Sequence, residues 1–219
     1  MVSVEGVNNM HFIRVLKANQ VVYHGSPYKF DEFDLSKTGS GDGNKYGWGI
    51  YFTTNKSFSN KYGRGKEYYD GKEITDVYIS IYLNDIIKNK NKVMKETKEN
   101  WPQVYEFAKN FNPSKYERRK GYIYECSIPD DNELLNYDLP IGQQPQKDKL
   151  LKLAEEQQIK LDKETYGVNF YIRLAHKLGS KKDASLMLSK YGIPGLVYEE
   201  NEKDFVIWDT SKIKIIEVK

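Results

Sequence analysis

Three short segments hold residues that could act together on one flat ligand: Tyr23-His24-Gly25-Ser26, then Gly47-Trp48-Gly49-Ile50-Tyr51-Phe52-Thr53, then Ser59-Asn60-Lys61-Tyr62. None of them is required to build a core. Tyr51 and Tyr62 can present ring faces, and His24 and Ser59 can supply hydrogen bonds. A planar, cationic ring bearing an amide suits such a set, because aromatic faces attract cations and ring stacking adds to the area buried. Taken singly, each residue has a plainer explanation, a structural histidine or a tyrosine packed in a core. The three segments in this order and spacing outweigh it.

The elements around them can be read coarsely. Residues 20–24 read as a short strand that delivers His24 at its end, and 49–53 as a second strand. A helix over 55–62 begins at Thr54 or Asn55 as N-cap. Between the two strands, Ser36 to Asn44 is a Gly/Ser/Asp-rich loop, either a plain connection or a flap over the phosphate part of a dinucleotide; it matches no Walker or Rossmann pattern. Residues 76–82 alternate as a half-buried strand, a helix covers 94–110, and 121–127 form another strand. Helices follow over 148–160, 166–178 and from Ser180 to Lys190, the last opened by a capping-box-like Ser180-Lys-Lys-Asp183. Three strands close the chain at 195–198, 205–208 and 213–218. Strands early and late with helices between them favour an α+β fold with two packed antiparallel sheets over a parallel sheet.

Composition narrows the class. The chain has 219 residues, one domain's worth, with 39% hydrophobic, 30% charged and 14% aromatic residues, which argues against disorder. Mean hydropathy is −0.73. The single cysteine, Cys126, excludes an internal disulfide framework, and His11, His24 and His176 are too scattered for a zinc site. No signal peptide or membrane-spanning run is expected, and the expected location is the cytoplasm. Net charge is +3, but its distribution says more. Between Lys88 and Lys120, eight further Lys and Arg interleave with Trp101, Tyr105, Phe107, Phe111 and Tyr116. That pattern suits a nucleic-acid strand, or else a solvated helical insertion whose aromatics dock on the core.

The motifs resemble those of the His-Tyr-Glu group of ADP-ribosyltransferases, which includes the poly(ADP-ribose) polymerases and diphtheria toxin. The likeness is closest to the small domains of phage and mobile-element proteins. The carriers are His24-Gly25-Ser26, Gly47-x-Gly49-Ile50-Tyr51-Phe52, and Ser59-x-x-Tyr62 eleven residues after Tyr51. Further tracts run from Gly121 to Pro129, from Asn136 to Pro140 and from Ala184 to Tyr198, so the likeness spans about 21–218, with 84–120 as a basic helical insertion. The resemblance implies a single domain with a split antiparallel β-sandwich and flanking helices. It implies NAD as substrate, no metal, and a nicotinamide held by the Gly25 backbone, with Ser26 alongside it and the Ser59 hydroxyl assisting. Tyr51 and Tyr62 would sandwich the ring, and His24 would bind ribose hydroxyls. The family glutamate is replaced: the matching segment is Asp204-Phe205-Val206-Ile207-Trp208-Asp209, so Asp204 stands in its place and Glu202 is the second candidate. One methylene shorter, about 1.5 Å, is a misplacement that can cost roughly 100-fold in rate.

With Asp204, Glu202 and Tyr51 as the catalytic set, the implied activity is mono-ADP-ribosyl transfer to a macromolecule, nucleic acid such as RNA ahead of protein. An intracellular toxin or phage-conflict effector of this kind would need an antitoxin or regulatory partner. Two other outcomes stay open: a transferase-like module that binds without turnover, and an NAD glycohydrolase with water as acceptor.

Overall fold

Alternation of apolar residues, read through the pairing of distant strands, organises the chain around one large sheet. The structure is a computed structural model describing residues 20–38, 45–200 and 202–219. His11 and most of the Gly/Ser-rich loop, residues 39–44, lie outside the described residues. The strands are β1 (Gln20–Ser26), β2 (Ile50–Thr53), β3 (Glu67–Tyr69), β4 (Lys72–Glu73), β5 (Tyr116–Arg118), β6 (Tyr122–Ile128), β7 (Leu135–Asn136), β8 (Gly195–Glu199), β9 (Lys203–Ile207) and β10 (Lys214–Val218). The helices are α1 (Lys56–Tyr62), α2 (Val77–Thr97), α3 (Pro102–Asn110), α4 (Lys147–Glu156), α5 (Gly167–Leu178) and α6 (Lys181–Lys190).

Seven strands pair in the order β10-β6-β1-β2-β9-β8-β7, antiparallel throughout except between β7 and β8. Two faces follow from the period of two. On one, Leu196, Val206 and Trp208 pack against Leu150, Leu153, Phe170, Leu174 and Leu188 of α4, α5 and α6. On the other, Val22, Phe52, Tyr124 and Phe205 are covered by Phe30, Phe33 and Leu35 from the segment after β1. The two packed sheets expected from the sequence are therefore one hydrogen-bonded sheet with a weak seam. β1 and β2 share a single register pair, Tyr23 with Thr53, whereas β1 pairs with β6 along its whole length. At that seam the sheet divides into a β10-β6-β1 half and a β2-β9-β8-β7 half.

A smaller sheet, β4-β3-β5, stands apart and carries α2 and α3. These elements enclose a core of their own, with Leu83, Ile86, Val93, Val104, Ala108 and Phe111 buried and Tyr69, Trp101, Phe107 and Tyr116 packed against them. Two sequence expectations change here. Residues 76–82 are not a strand but the opening of α2. Asp76 caps it, its carboxylate accepting from the Tyr78 and Ile79 N–H groups at 2.8 and 3.0 Å. The helical spacing of Ile79, Leu83, Ile86 and Val93, four, three and seven residues apart, then overrides local alternation. The expected helix over 94–110 is two helices, because Pro102 starts α3 at a position where its missing N–H costs nothing. Within α2, Asn89 breaks the helical backbone (φ −157°, ψ 80°) and re-caps it, accepting from the Lys92 N–H. In the main body α4 ends at Glu156 instead of residue 160, as Gln158 adopts a left-handed φ of 53° and turns Ile159 back onto the core.

Candidate active site

The seam between β1 and β2 gathers most of the residues singled out by the sequence. Continuing the register past Tyr23 and Thr53 would set Gly25 opposite Tyr51, but no such pair forms. Instead the His24 ring reaches across the gap, with Nδ1 at 2.8 Å from the Tyr51 carbonyl oxygen. A carbonyl only accepts, so Nδ1 carries the proton. Rings of Phe30, Phe33, Phe52 and Tyr124 surround the imidazole at centroid distances of 5.2 to 6.2 Å. Desolvation by this cage pushes the His24 pKa below 6.5, only partly offset by the bond to Tyr51. The neutral ring thus keeps Nε2 as a hydrogen-bond acceptor.

Gly25 is needed by the protein itself. A Cβ there would lie 2.0 Å from the Ser59 carbonyl oxygen and 2.5 Å from the Gly63 nitrogen. Its hydrogen atoms let α1 press directly onto β1, which brings Ser59 and Tyr62 to the seam. Ser26 is buried and ends β1, its hydroxyl oxygen accepting from the Tyr28 N–H at 3.1 Å. Ser59 is also buried, and its hydroxyl donates to the Lys56 carbonyl at 2.7 Å, which leaves it acceptor capacity toward a ligand amide. Tyr62, the last residue of α1, is 59% exposed and packs edge-on against Phe58 rather than on Tyr51.

Tyr51 is fixed by its hydroxyl, which donates to the Gly47 carbonyl at 2.8 Å and accepts from the Tyr46 and Gly47 N–H groups. Burial raises its pKa, so the hydroxyl is committed to architecture and the ring is what remains for a ligand. Neighbouring contacts brace the same loop. Trp48 N–H donates to the Tyr171 hydroxyl at 3.2 Å, the Ser185 hydroxyl donates to the Trp48 carbonyl at 3.0 Å, and Tyr46 stacks on Tyr198 with centroids 3.9 Å apart.

Asp204 lies in β9 directly across from Thr53 on one side and Tyr198 on the other. Partial burial raises its pKa above the usual aspartate range, opposed by a hydrogen bond from Thr53 and reinforced by the nearby Glu202 and Glu200. Glu202 does not continue the strand, which starts at Lys203. Its carboxylate instead accepts from the Asn55 side-chain amide at 2.8 Å, while the Asn55 oxygen caps α1 by accepting from Phe58 N–H. Beside them the Thr54 N–H and hydroxyl both donate to the Lys203 carbonyl. Glu200 accepts from the Tyr46 hydroxyl and pairs with Lys45 at 3.4 Å. The β8–β9 turn is thereby tied on one side to the Tyr46 loop and on the other to the helix of Ser59 and Tyr62.

No local pattern marks Thr53, Tyr46 or Tyr198 as site residues, and Asn55 is marked only as a helix cap. Thr53 was findable: if β2 pairs with β9 so that Tyr51 meets Val206, Thr53 must meet Asp204. Asn55 was legible as a cap but not as a link, since its partner lies 147 residues away. Among the described residues no group of three or more His, Cys, Asp or Glu could hold a metal ion, and no helix is long and apolar enough to cross a membrane. Two surface hollows, of about 560 and 460 Å³, lie elsewhere, one over α6 beside Leu186 and Met187, the other between Phe33 and Ile213.

A large, mostly antiparallel sheet parted beside His24 and flanked by helices defines the α+β class of this protein. The chain belongs to the family described as ADP-ribosyltransferase in polyvalent proteins, whose model matches residues 18–168. No curated protein and no solved structure matches it. The matched stretch contains His24, Gly25, Tyr51, Ser59 and Tyr62; Glu202 and Asp204 lie beyond its end.

Proposed function

We propose that the β1–β2 seam is the cleft of a split transferase sandwich, that it binds NAD, and that the protein transfers a single ADP-ribose to a macromolecular acceptor, nucleic acid ahead of protein. The observation that carries this reading is the His24 bridge. It spans the gap where the ladder is interrupted, and its bond to the Tyr51 carbonyl leaves Nε2 as the nitrogen that would accept from a ribose hydroxyl. Nicotinamide then lies between the Tyr51 ring and the exposed Tyr62, with its amide N–H donated to Ser59.

In the reaction the bond between the nicotinamide nitrogen and the ribose anomeric carbon breaks, and nicotinamide leaves with the bonding pair. The sugar gains oxocarbenium character, as in glycoside cleavage. An acceptor nucleophile adds to the same carbon and gives up its proton. Asp204, as carboxylate, binds the neighbouring 2′-hydroxyl and stabilises the developing positive charge, the kind of preorganised electrostatics that dominates catalysis. Glu202 serves as the tether of the turn, one residue removed from the chemistry. We read the biological setting as that of an effector acting inside a cell and held in check by a partner.

Labelled NAD tests the proposal. Incubation with cell extract should transfer label to a macromolecule, and nuclease or protease digestion identifies which. Asp204→Asn should lower turnover by roughly 100-fold or more, with NAD binding retained. Unchanged turnover in that variant would sink the assignment of Asp204. Binding of NAD with no release of nicotinamide by the natural chain would favour the module that binds without turnover, which the loss of the family glutamate also suggests. Accumulation of free ADP-ribose alone would favour water as the acceptor.

A further inference from the structure

The cleft has two lips of opposite charge. Glu200, Glu202 and Asp204 form one. The other is the exposed side of α1 and the strands that lead into the smaller unit. From Lys56 to Lys66 the chain holds Lys56, Lys61, Arg64 and Lys66 and no carboxylate. The strands entering and leaving the unit form a tight neck: a Cβ on Gly65 would lie 1.6 Å from the Arg119 carbonyl oxygen, and one on Gly121 would lie 1.9 Å from that of Gly63. This contact places Arg64 next to Lys120, immediately after Tyr62.

Farther along, the charges are neutralised. Lys66 pairs with Glu73 at 2.8 Å, Arg118 with Glu67 at 3.5 Å and Arg119 with Glu117 at 3.0 Å. Lys61, Arg64 and Lys120 are exposed, and none of them has a carboxylate partner among the described residues. Flat rings accompany the cations. Tyr28 is 50% exposed with the Lys66 ammonium 5.9 Å from its ring, and the Arg119 guanidinium lies 3.9 Å over Tyr68. The aromatic residues of the basic stretch 88–120, by contrast, are largely spent on the smaller core, with Phe111 buried and Trp101 packed at a tilt against Tyr78.

We propose that the α1–neck surface is where the acceptor docks, and that the acceptor is a single-stranded nucleic acid. Its phosphates would sit at Lys61, Arg64 and Lys120, and a base would stack on Tyr28. A repeating phosphate charge with interleaved flat rings matches the unpaired Lys61, Arg64 and Lys120, with the half-exposed Tyr28 ring reached at Lys66, two residues on from Arg64; the Tyr28 hydroxyl is held by Glu73 at 2.8 Å, which leaves the ring face for a base. An acidic protein would match the charge but not the ring. The inference deepens the transfer reading and rests on it for the word acceptor, although binding can be measured alone.

The full chain is titrated into fluorescein-labelled single-stranded RNA and, separately, DNA oligonucleotides at several salt concentrations, and anisotropy is read. Release of nicotinamide from NAD is measured in parallel without acceptor. The natural chain should bind, more weakly as salt rises, and the two oligonucleotides show which sugar is preferred. Arg64→Glu with Lys120→Glu should weaken binding by about tenfold or more, and the milder Arg64→Gln with Lys120→Gln should flatten the salt dependence by about two counterions. Tyr28→Ala should weaken binding at every salt concentration. Acceptor-free nicotinamide release should be unchanged in all of them. The proposal is overturned if neither oligonucleotide binds, if the glutamate variant binds like the natural chain, or if the label goes to protein alone. It is also overturned if these variants raise the KM for NAD without acceptor, since the cations would then serve the NAD pyrophosphate. Loss of nicotinamide release in the natural chain with oligonucleotide binding intact would remove the transfer reading and leave the surface standing.

Discussion

His24 and Gly25 are adjacent in sequence and do opposite work, one holding two strands apart and the other letting a helix close in. For His24 the sign of the pH effect is fixed by its lowered pKa. The unfolded chain takes up the proton near 6.5 and the folded chain only at lower pH, so this residue's contribution is complete above 6.5 and is lost as pH falls through the folded value. Denaturant unfolding should therefore show a steeper loss of stability below that point in the natural chain than in His24→Gln, which cannot titrate; parallel pH curves would remove the residue from the account. NAD affinity should fall only at lower pH, as the folded ring itself takes up the proton, because protonated Nε2 no longer accepts. Gly25→Ala puts a methyl group against backbone atoms that cannot rotate away. Thermal unfolding should reveal a loss of about 3 kcal/mol, at the upper end of overpacking costs. The sequence marked both residues through their neighbours Ser26, Tyr51 and Tyr62. It could not show that the helix, and not only a ligand, occupies the space that Gly25 leaves open.

At the level of elements, the site depends on α1 and β9 keeping one relative position, and Asn55 joins them. Its side-chain oxygen caps α1 while its amide holds Glu202. Asn55→Ala should cost about 1 kcal/mol for the lost cap and free the β8–β9 turn as well. Asn55→Asp separates the two tasks, since aspartate caps equally well but repels Glu202. We expect near-natural stability with turnover reduced, and rescue of turnover when Glu202→Gln is added. If Asn55→Asp turns over NAD normally, the link has no part in positioning Asp204. The cap was legible from Asn55 standing before a helical run. The link was not, because a hydrogen bond between residues 147 apart in the chain leaves no local trace.

Across the molecule, the smaller core joins the body that carries the other two through a narrow neck, with the Tyr28 hydroxyl donating to Glu73 beside it. Ile86 is 2% exposed in the smaller one. Ile86→Ala should weaken that unit by about 3 kcal/mol, the usual cost of such a cavity. Hydrogen exchange should then quicken in α2 and α3 while β1, β6 and β9 keep their protection and acceptor-free nicotinamide release is retained. Equal loss of protection in both parts would mean that they unfold as one. The family match ends at residue 168, yet β9, lying between β2 and β8, sets Asp204 opposite Thr53 of β2. In the proposed reading, the last quarter of the chain therefore completes a site that the first quarter begins.

The sequence by itself determined the strands at both ends of the chain, the helices over 167–178 and 181–190, and which residue types could meet a flat ligand. These depend on period, caps and short motifs, all of which act over a few residues. It misassigned 76–82, where the burial pattern of a whole helix outweighed a locally strand-like run. Only the tertiary structure decided that His24 spans a parted ladder, that Thr53 faces Asp204, and that Glu202 is tied to Asn55. It also decided that the aromatic residues of the basic stretch build a second core. Each of these depends on contacts between distant segments, whose partners are selected by packing and register rather than by neighbours in the chain.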